Sequence, residues 1–177
     1  MSKTMQQQKA SDTILQFDEE LIEKIKNVLV KKSATLAVAE SVTSGLLQAA
    51  CTQAKDASQY FHGGITAYNL GQKARHFNVD TNHAEACNCV SKTVAEQMAV
   101  SVTRLFFSDY GIATTGYANT VPGQGIDKTY AWCAVAHQGK VVFSKKINAA
   151  NIEEGLSTQL FFVNQCLKYF NQIISKK

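Results

Sequence analysis

Arginine is nearly missing from this chain. Of its 18 basic side chains only Arg75 and Arg104 are guanidinium groups, and none follows position 104. Bidentate clamps for phosphate or carboxylate are therefore scarce, and lysine carries almost all of the positive charge. The formal net charge is +4, scattered rather than clustered, which suits small anionic molecules and argues against nucleic acid as a partner. Proline occurs once, at Pro122. No run approaches the ~18 apolar residues of a membrane span, and the opening MSKTMQQQKASDTILQ lacks the apolar centre of a secretory signal, so no membrane association is expected. The five cysteines form an odd set without the rhythm of a disulfide scaffold, which fits free thiols in a reducing cytoplasm.

What is present is enough for one core. With 177 residues and 45% hydrophobic side chains, the chain has the size and composition of a single globular domain. Residues 1–16, rich in Gln, Lys and Ser, read as a flexible N-terminal tail, and residues 17–177 as one α/β domain. Asp18 is placed to cap a helix through EELIEKIKNVLVKK, whose Leu21, Ile22, Ile25, Val28 and Leu29 share one face. TLAVAES (35–41), GGITAYN (63–69) and YGIATTGY (110–117) read as buried strands separated by helical stretches. TYAWCAVAH and KVVFSKKIN, joined by Gln138-Gly139, read as an antiparallel hairpin, followed by a helix from about residue 152 to 174. The alternation implies a three-layer α/β/α domain with a mixed, mostly parallel sheet of about five strands.

Three loops follow strands and so lie where open α/β sheets bind ligands. ESVTSG offers Ser41, Thr43, Ser44 and Gly45 at a helix start, suited to a phosphate or carboxylate, or simply to helix capping. TTGYANTVPGQG, with Thr115 and Gly116, is a long hydroxyl- and Gly-bearing loop, of a kind that is often functional. DASQYFHGGITAYNLGQK sets Ser58, Tyr68 and Lys73 around one strand; these are either solvated polar groups or a nucleophile, an orienting phenol and a base. No metal site is expected: His83, Cys87 and Cys89 have a one-residue gap between cysteines and no fourth ligand. Cys51 and Cys166 fall on apolar helix faces and read as packing residues.

The segments LAVAESVTSGLLQAACT, YFHGGITAYNLGQKARHFNV, CVSKTVAEQMA and GIATTGYANTVPGQG, taken in order over about residues 17–174, resemble the CinA carboxy-terminal family of nicotinamide-nucleotide amidases. The resemblance implies hydrolysis of the carboxamide of nicotinamide mononucleotide to nicotinate mononucleotide and ammonia, without metal or cofactor. It implies Ser58 as nucleophile, Lys73 as base and Tyr68 as the group that orients the base or relays its proton. Ser41, Thr43, Ser44, Gly45, Thr115 and Gly116 then bind the substrate. The expected partner is a small nucleotide, and a homo-oligomer, dimeric or higher, is expected.

The chain also departs from the family pattern. Val42 stands where a Cys is usual, Ser44 where a Gly is usual, the 117–130 loop is altered, and the Arg near the last helix has no counterpart. The alternative class is therefore a catalytically silent nucleotide-binding or oligomerisation module. A six-residue strand spans roughly 20 Å, so Ser58 and Lys73, which flank one, meet only if the 55–61 segment turns back along it or two chains share the site.

Overall fold

The computed structural model describes residues 16–149 and 152–176. Apart from Gln16, the tail expected over residues 1–16 lies outside the described residues. The elements run α1 (Glu19–Lys31), β1 (Leu36–Glu40), α2 (Leu46–Cys51), β2 (Phe61–Thr66), α3 (Leu70–Phe77), α4 (Thr81–Ala86), α5 (Lys92–Leu105), β3 (Tyr110–Tyr117), β4 (Tyr130–His137), β5 (Lys140–Asn148) and α6 (Leu156–Ile174). Local chemistry explains most boundaries. The Asp18 carboxylate accepts the Leu21 N–H at 3.1 Å to open α1, and the Ser91 hydroxyl accepts the Val94 N–H at 3.1 Å to open α5.

The sheet order is β2-β1-β3-β4-β5. β1 pairs in parallel with β2 and β3, while β3–β4 and β4–β5 are antiparallel. The mixed five-stranded sheet is thus as expected, but the pairs divide evenly instead of being mostly parallel. The reason lies in the connections. Parallel neighbours need a long crossover, which helices supply after β1 and β2. The 118–129 loop has no helix beyond a 3₁₀ turn at Pro122–Gln124, closed by a bridge between Val121 and Ile126, so β3 is followed directly by its antiparallel neighbour β4, and Gln138-Gly139 returns β4 as β5.

Both sheet faces are covered. On one, Leu36, Val38, Ile112, Ala131, Cys133 and Val135 pack with apolar residues of α1, α2 and α6. On the other, Ala37, Ala39, Ala113, Ala134 and Ala136 pack with α3, α4 and α5. That second face is nearly all alanine because α5 sits very close to it. A Cβ placed on Gly111 would fall 2.4 Å from the Ala99 carbonyl oxygen of α5, a distance no side chain tolerates. Cys51 and Cys166 are buried in the first core, as packing residues should be.

Three boundaries differ from the sequence reading. β2 covers residues 61–66 instead of 63–69 because the Asn69 side chain accepts the Gln72 N–H at 3.0 Å and starts α3. α4, six residues capped by Asp80, is too short to show apolar periodicity. α6 begins at Leu156 after Gly155, not near residue 152. Among the described residues no helix is long and apolar enough to cross a membrane.

Candidate active site

The carboxyl ends of β1, β2 and β3 lie side by side, and the chain leaves each through a turn. The turn after β1 is built around Glu40, which is wholly buried. Its Oε2 accepts the Thr43 hydroxyl at 2.6 Å and the N–H groups of Gly45 and Leu47 at 3.0 Å each, and its Oε1 accepts the Gln48 N–H at 2.9 Å. Thr43 shares a further hydrogen bond of 2.8 Å with Thr114 of β3. Ser44 and Gly45 both take positive φ, 50° and 97°, which lets five residues reverse between strand and helix. From α6, in the same layer as α2, Gln159 donates to the Val42 carbonyl at 2.8 Å and to the Ser44 hydroxyl at 3.2 Å. The turn is held at both ends, and Ser41 is its first residue.

Lys73 enters from α3. Its side chain is 1% exposed, and Nζ donates to Ser41 Oγ at 2.9 Å, to the Ala67 carbonyl at 3.0 Å and to the Tyr68 carbonyl at 2.8 Å. Burial pulls the ammonium below the usual lysine range, with the nearby Cys89 thiol acting in the opposite sense. The two carbonyls can only accept. When Lys73 is neutral its two N–H bonds stay with them, and the lone pair is left facing the Ser41 hydroxyl. The arrangement is that of a base beside the oxygen it would deprotonate.

The pair opens onto a cavity of about 570 Å³ lined by residues of all three strand ends, including Ser41, Tyr68, Lys73, Thr115 and Gly116. The Thr115 hydroxyl donates to the Cys89 carbonyl at 2.8 Å. Asn88 and Cys89 hold left-handed φ of 47° and 60°, a conformation non-glycine residues adopt at some cost. Asn88 Nδ2 in turn donates to the Tyr117 hydroxyl and to Gln124 Oε1, both at 3.0 Å, tying the wall formed by residues 88–90 to the long loop.

The sequence-derived site divides on the structure. Ser41, Tyr68, Lys73, Thr115 and Gly116 meet at the cavity, although Tyr68 supplies its carbonyl to Lys73 while its ring is 77% exposed at the rim. Thr43, Ser44 and Gly45 do not line the cavity; their hydroxyls and amides shape the turn and hold Glu40. Within one chain the structure does not bring Ser58 to Lys73. Ser58 is exposed in a 3₁₀ turn, Ala57–Gln59, ahead of β2, whereas Lys73 follows the other end of that strand. The chain does not turn back along β2, and Ser41 and Lys73 meet within one chain. Sequence reading missed Glu40, Asn88 and Gln159, and also Glu85, which lines the cavity. For Glu40 a signal existed: a carboxylate ending a wholly apolar strand must be paired. His83, weighed with the cysteines as a ligand, shares a 2.9 Å hydrogen bond with the Ser91 hydroxyl.

Replacing Glu40 by alanine strips four hydrogen bonds at once, two from buried donors and two from half-buried ones. A loss of about 3 kcal/mol or more is expected, since bonds to a charged group contribute ~1.5–3 kcal/mol each and orphaned donors add to the cost. Urea denaturation of the variant measures it.

Fold and site together define a class: a three-layer α/β domain with a buried serine–lysine pair at the carboxyl ends of its parallel strands. The chain belongs to the CinA C-terminal domain family, whose sequence signature matches residues 18–173. Protein MG115 of Mycoplasma genitalium is 32% identical over 154 residues, covering 86% of this chain and 96% of that protein. A CinA-like protein of Frankia casuarinae is 42% identical over 105 residues, 59% of this chain but 24% of that protein, so against such longer relatives the chain corresponds to about a quarter of the length. A competence-damaged protein (CinA) superfamily protein from Klebsiella pneumoniae has the same fold, with a TM-score of 0.83 at 20% identity over 90% of this chain and 99% of that one.

Proposed function

We propose that this protein hydrolyses a carboxamide by a serine–lysine mechanism, with Ser41 as nucleophile and Lys73 as base. The observation that carries the reading is the environment of Lys73 Nζ: buried, held by two carbonyls, and 2.9 Å from Ser41 Oγ. Nicotinamide mononucleotide, the substrate implied by the family resemblance, is the compound to test first. A carboxamide on a pyridinium ring suits a cavity whose lining includes Tyr68, Tyr117 and Glu85, since aromatic side chains and carboxylates both attract a cationic ring.

The steps balance without a cofactor. Lys73 takes the Ser41 proton as Oγ attacks the carboxamide carbon. The backbone N–H of Val42, a residue of the cavity lining, finds no acceptor among the described residues and is available to the oxyanion. Collapse of the tetrahedral adduct breaks the C–N bond, and the Lys73 ammonium protonates the departing nitrogen, giving ammonia and an acyl ester on Ser41. Lys73 then takes a proton from water, which attacks the ester, and returns it to Ser41 Oγ as the acid leaves. Ser58 has no part in this.

Ammonia release by the purified protein tests the reaction, and peptide mapping after a sulfonyl fluoride tests the nucleophile. The adduct is expected on Ser41. Absence of ammonia release together with an unmodified Ser41 would sink the reading.

A further inference from the structure

We infer that the cavity selects the unphosphorylated form of its amide substrate, a pyridinium nucleoside in preference to its 5′-phosphate. The inference rests on the amidase reading above and narrows its substrate class.

The lining is rich in carboxamides and poor in cations. Asn69, Asn88, Asn119, Gln124 and Gln159 all contribute to it, with Glu85 as a carboxylate. Among the described residues the one cationic side chain in the lining is Lys73, whose three N–H donors are engaged by Ser41, Ala67 and Tyr68. Carboxamides, each both donor and acceptor, match the hydroxyls of a ribose. A phosphate dianion instead calls for ammonium or guanidinium groups, or for a helix start with free amides.

Such a helix start exists at the turn after β1, and it is already filled. The N–H groups of Gly45, Leu47 and Gln48 and the Thr43 hydroxyl all go to the chain's own Glu40 carboxylate. The anion that this turn is shaped to hold is built into the strand before it. A phosphate arriving here would find those four donors occupied and a buried negative charge behind them, with the unpaired Val42 N–H already needed by the oxyanion. It would also share the cavity with Glu85, which adds like-charge repulsion.

There is room for a nucleoside and for more. A second cavity, about 620 Å³, shares Glu85, Asn88, Val90, Tyr117 and Gln124 with the first. Among the residues that extend the cleft on that side, Ala86, Cys87, Ile126 and Tyr130, there is again no cation in the lining. Lys146 Nζ lies 3.7 Å from the centre of the Tyr130 ring but is not part of the lining, so a phosphate pushed outward from the ring and sugar meets no cation in these walls.

The test compares nicotinamide riboside with nicotinamide mononucleotide at equal concentration, by ammonia release and by thermal shift on the same full chain. The nucleoside is expected to be favoured about tenfold or more in kcat/KM. Asn119→Lys and Glu85→Gln, each changing the charge of the lining by one unit, should move that ratio several-fold toward the nucleotide. A nucleotide turned over as well as the nucleoside, or better, overturns the inference while leaving the amidase reading intact. If neither releases ammonia, the amidase reading falls, and thermal shift still decides the inference. Stabilisation by the nucleoside alone supports the selection against phosphate, whereas stabilisation by the nucleotide, or by neither, overturns it.

Discussion

Replacing Ser41 with alanine is expected to lower ammonia release by about 10³-fold or more, the scale on which removal of a nucleophile is felt. The fold should survive. Ser41 follows β1 as the first residue of the turn, and the hydrogen bonds that shape that turn run from Thr43, Gly45, Leu47 and Gln48 to Glu40. The variant forfeits one acceptor of Lys73, a cost of about 1 kcal/mol, which a melting curve would read as a small downward shift. Ser58→Ala is the matched control. Ser58 is exposed and lies outside the cavity, so both rate and melting temperature should stay near those of the parent. A Ser58→Ala protein that lost turnover while Ser41→Ala kept it would reverse the assignment.

Lys73→Met should be as damaging to turnover as Ser41→Ala, because a hydroxyl without its base is a poor nucleophile at neutral pH. The parent's rate should rise with pH along a limb whose midpoint lies below the ordinary lysine value of 10.5, since burial lowers the Lys73 pKa and only the neutral amine can take the Ser41 proton. The same displacement acts on stability. Between the folded-state pKa of Lys73 and 10.5 the unfolded chain binds more protons at this position than the folded one. Stability therefore rises with pH across that window, and the contribution is largest above it. Lys73→Met removes the titrating group and should remove that part of the slope, although the Ala67 and Tyr68 carbonyls lose their donor. Denaturant titrations of parent and variant at several pH values give the difference. An equal slope in the two proteins would mean that Lys73 is not desolvated as its burial requires.

Much of the fold was legible because its signals are local. Asp18, Asn69 and Ser91 cap the helices they precede, and the Gln138-Gly139 turn returns β4 to β5. Apolar runs marked β1, β3 and β4 because both their faces are covered. The short α4 escaped because six residues carry too little periodicity. The balance of parallel and antiparallel pairs was misjudged because it depends on whether the 118–129 segment forms a helix, and its single proline and two glycines do not announce the answer.

For the site, the sequence by itself determined which chemistry was available: Ser41 follows the buried strand β1, Lys73 lies on the helix after the edge strand β2, and Thr115 and Gly116 close a third strand. It could not determine which serine Lys73 meets. Ser58 lies 15 positions from Lys73 and Ser41 lies 32, yet proximity along the chain misleads when a strand stands between two residues. Parallel pairing of β1 with β2 brings the ends of both strands together, so residues distant in sequence meet at one edge while those flanking a single strand are held apart by its length. The same geometry decided the role of ESVTSG. Its hydroxyls and amides read as a seat for a ligand's anion, and only the tertiary structure showed that the Glu40 carboxylate takes that seat, because a charge buried at the end of β1 must find donors and the turn immediately after it has them to give.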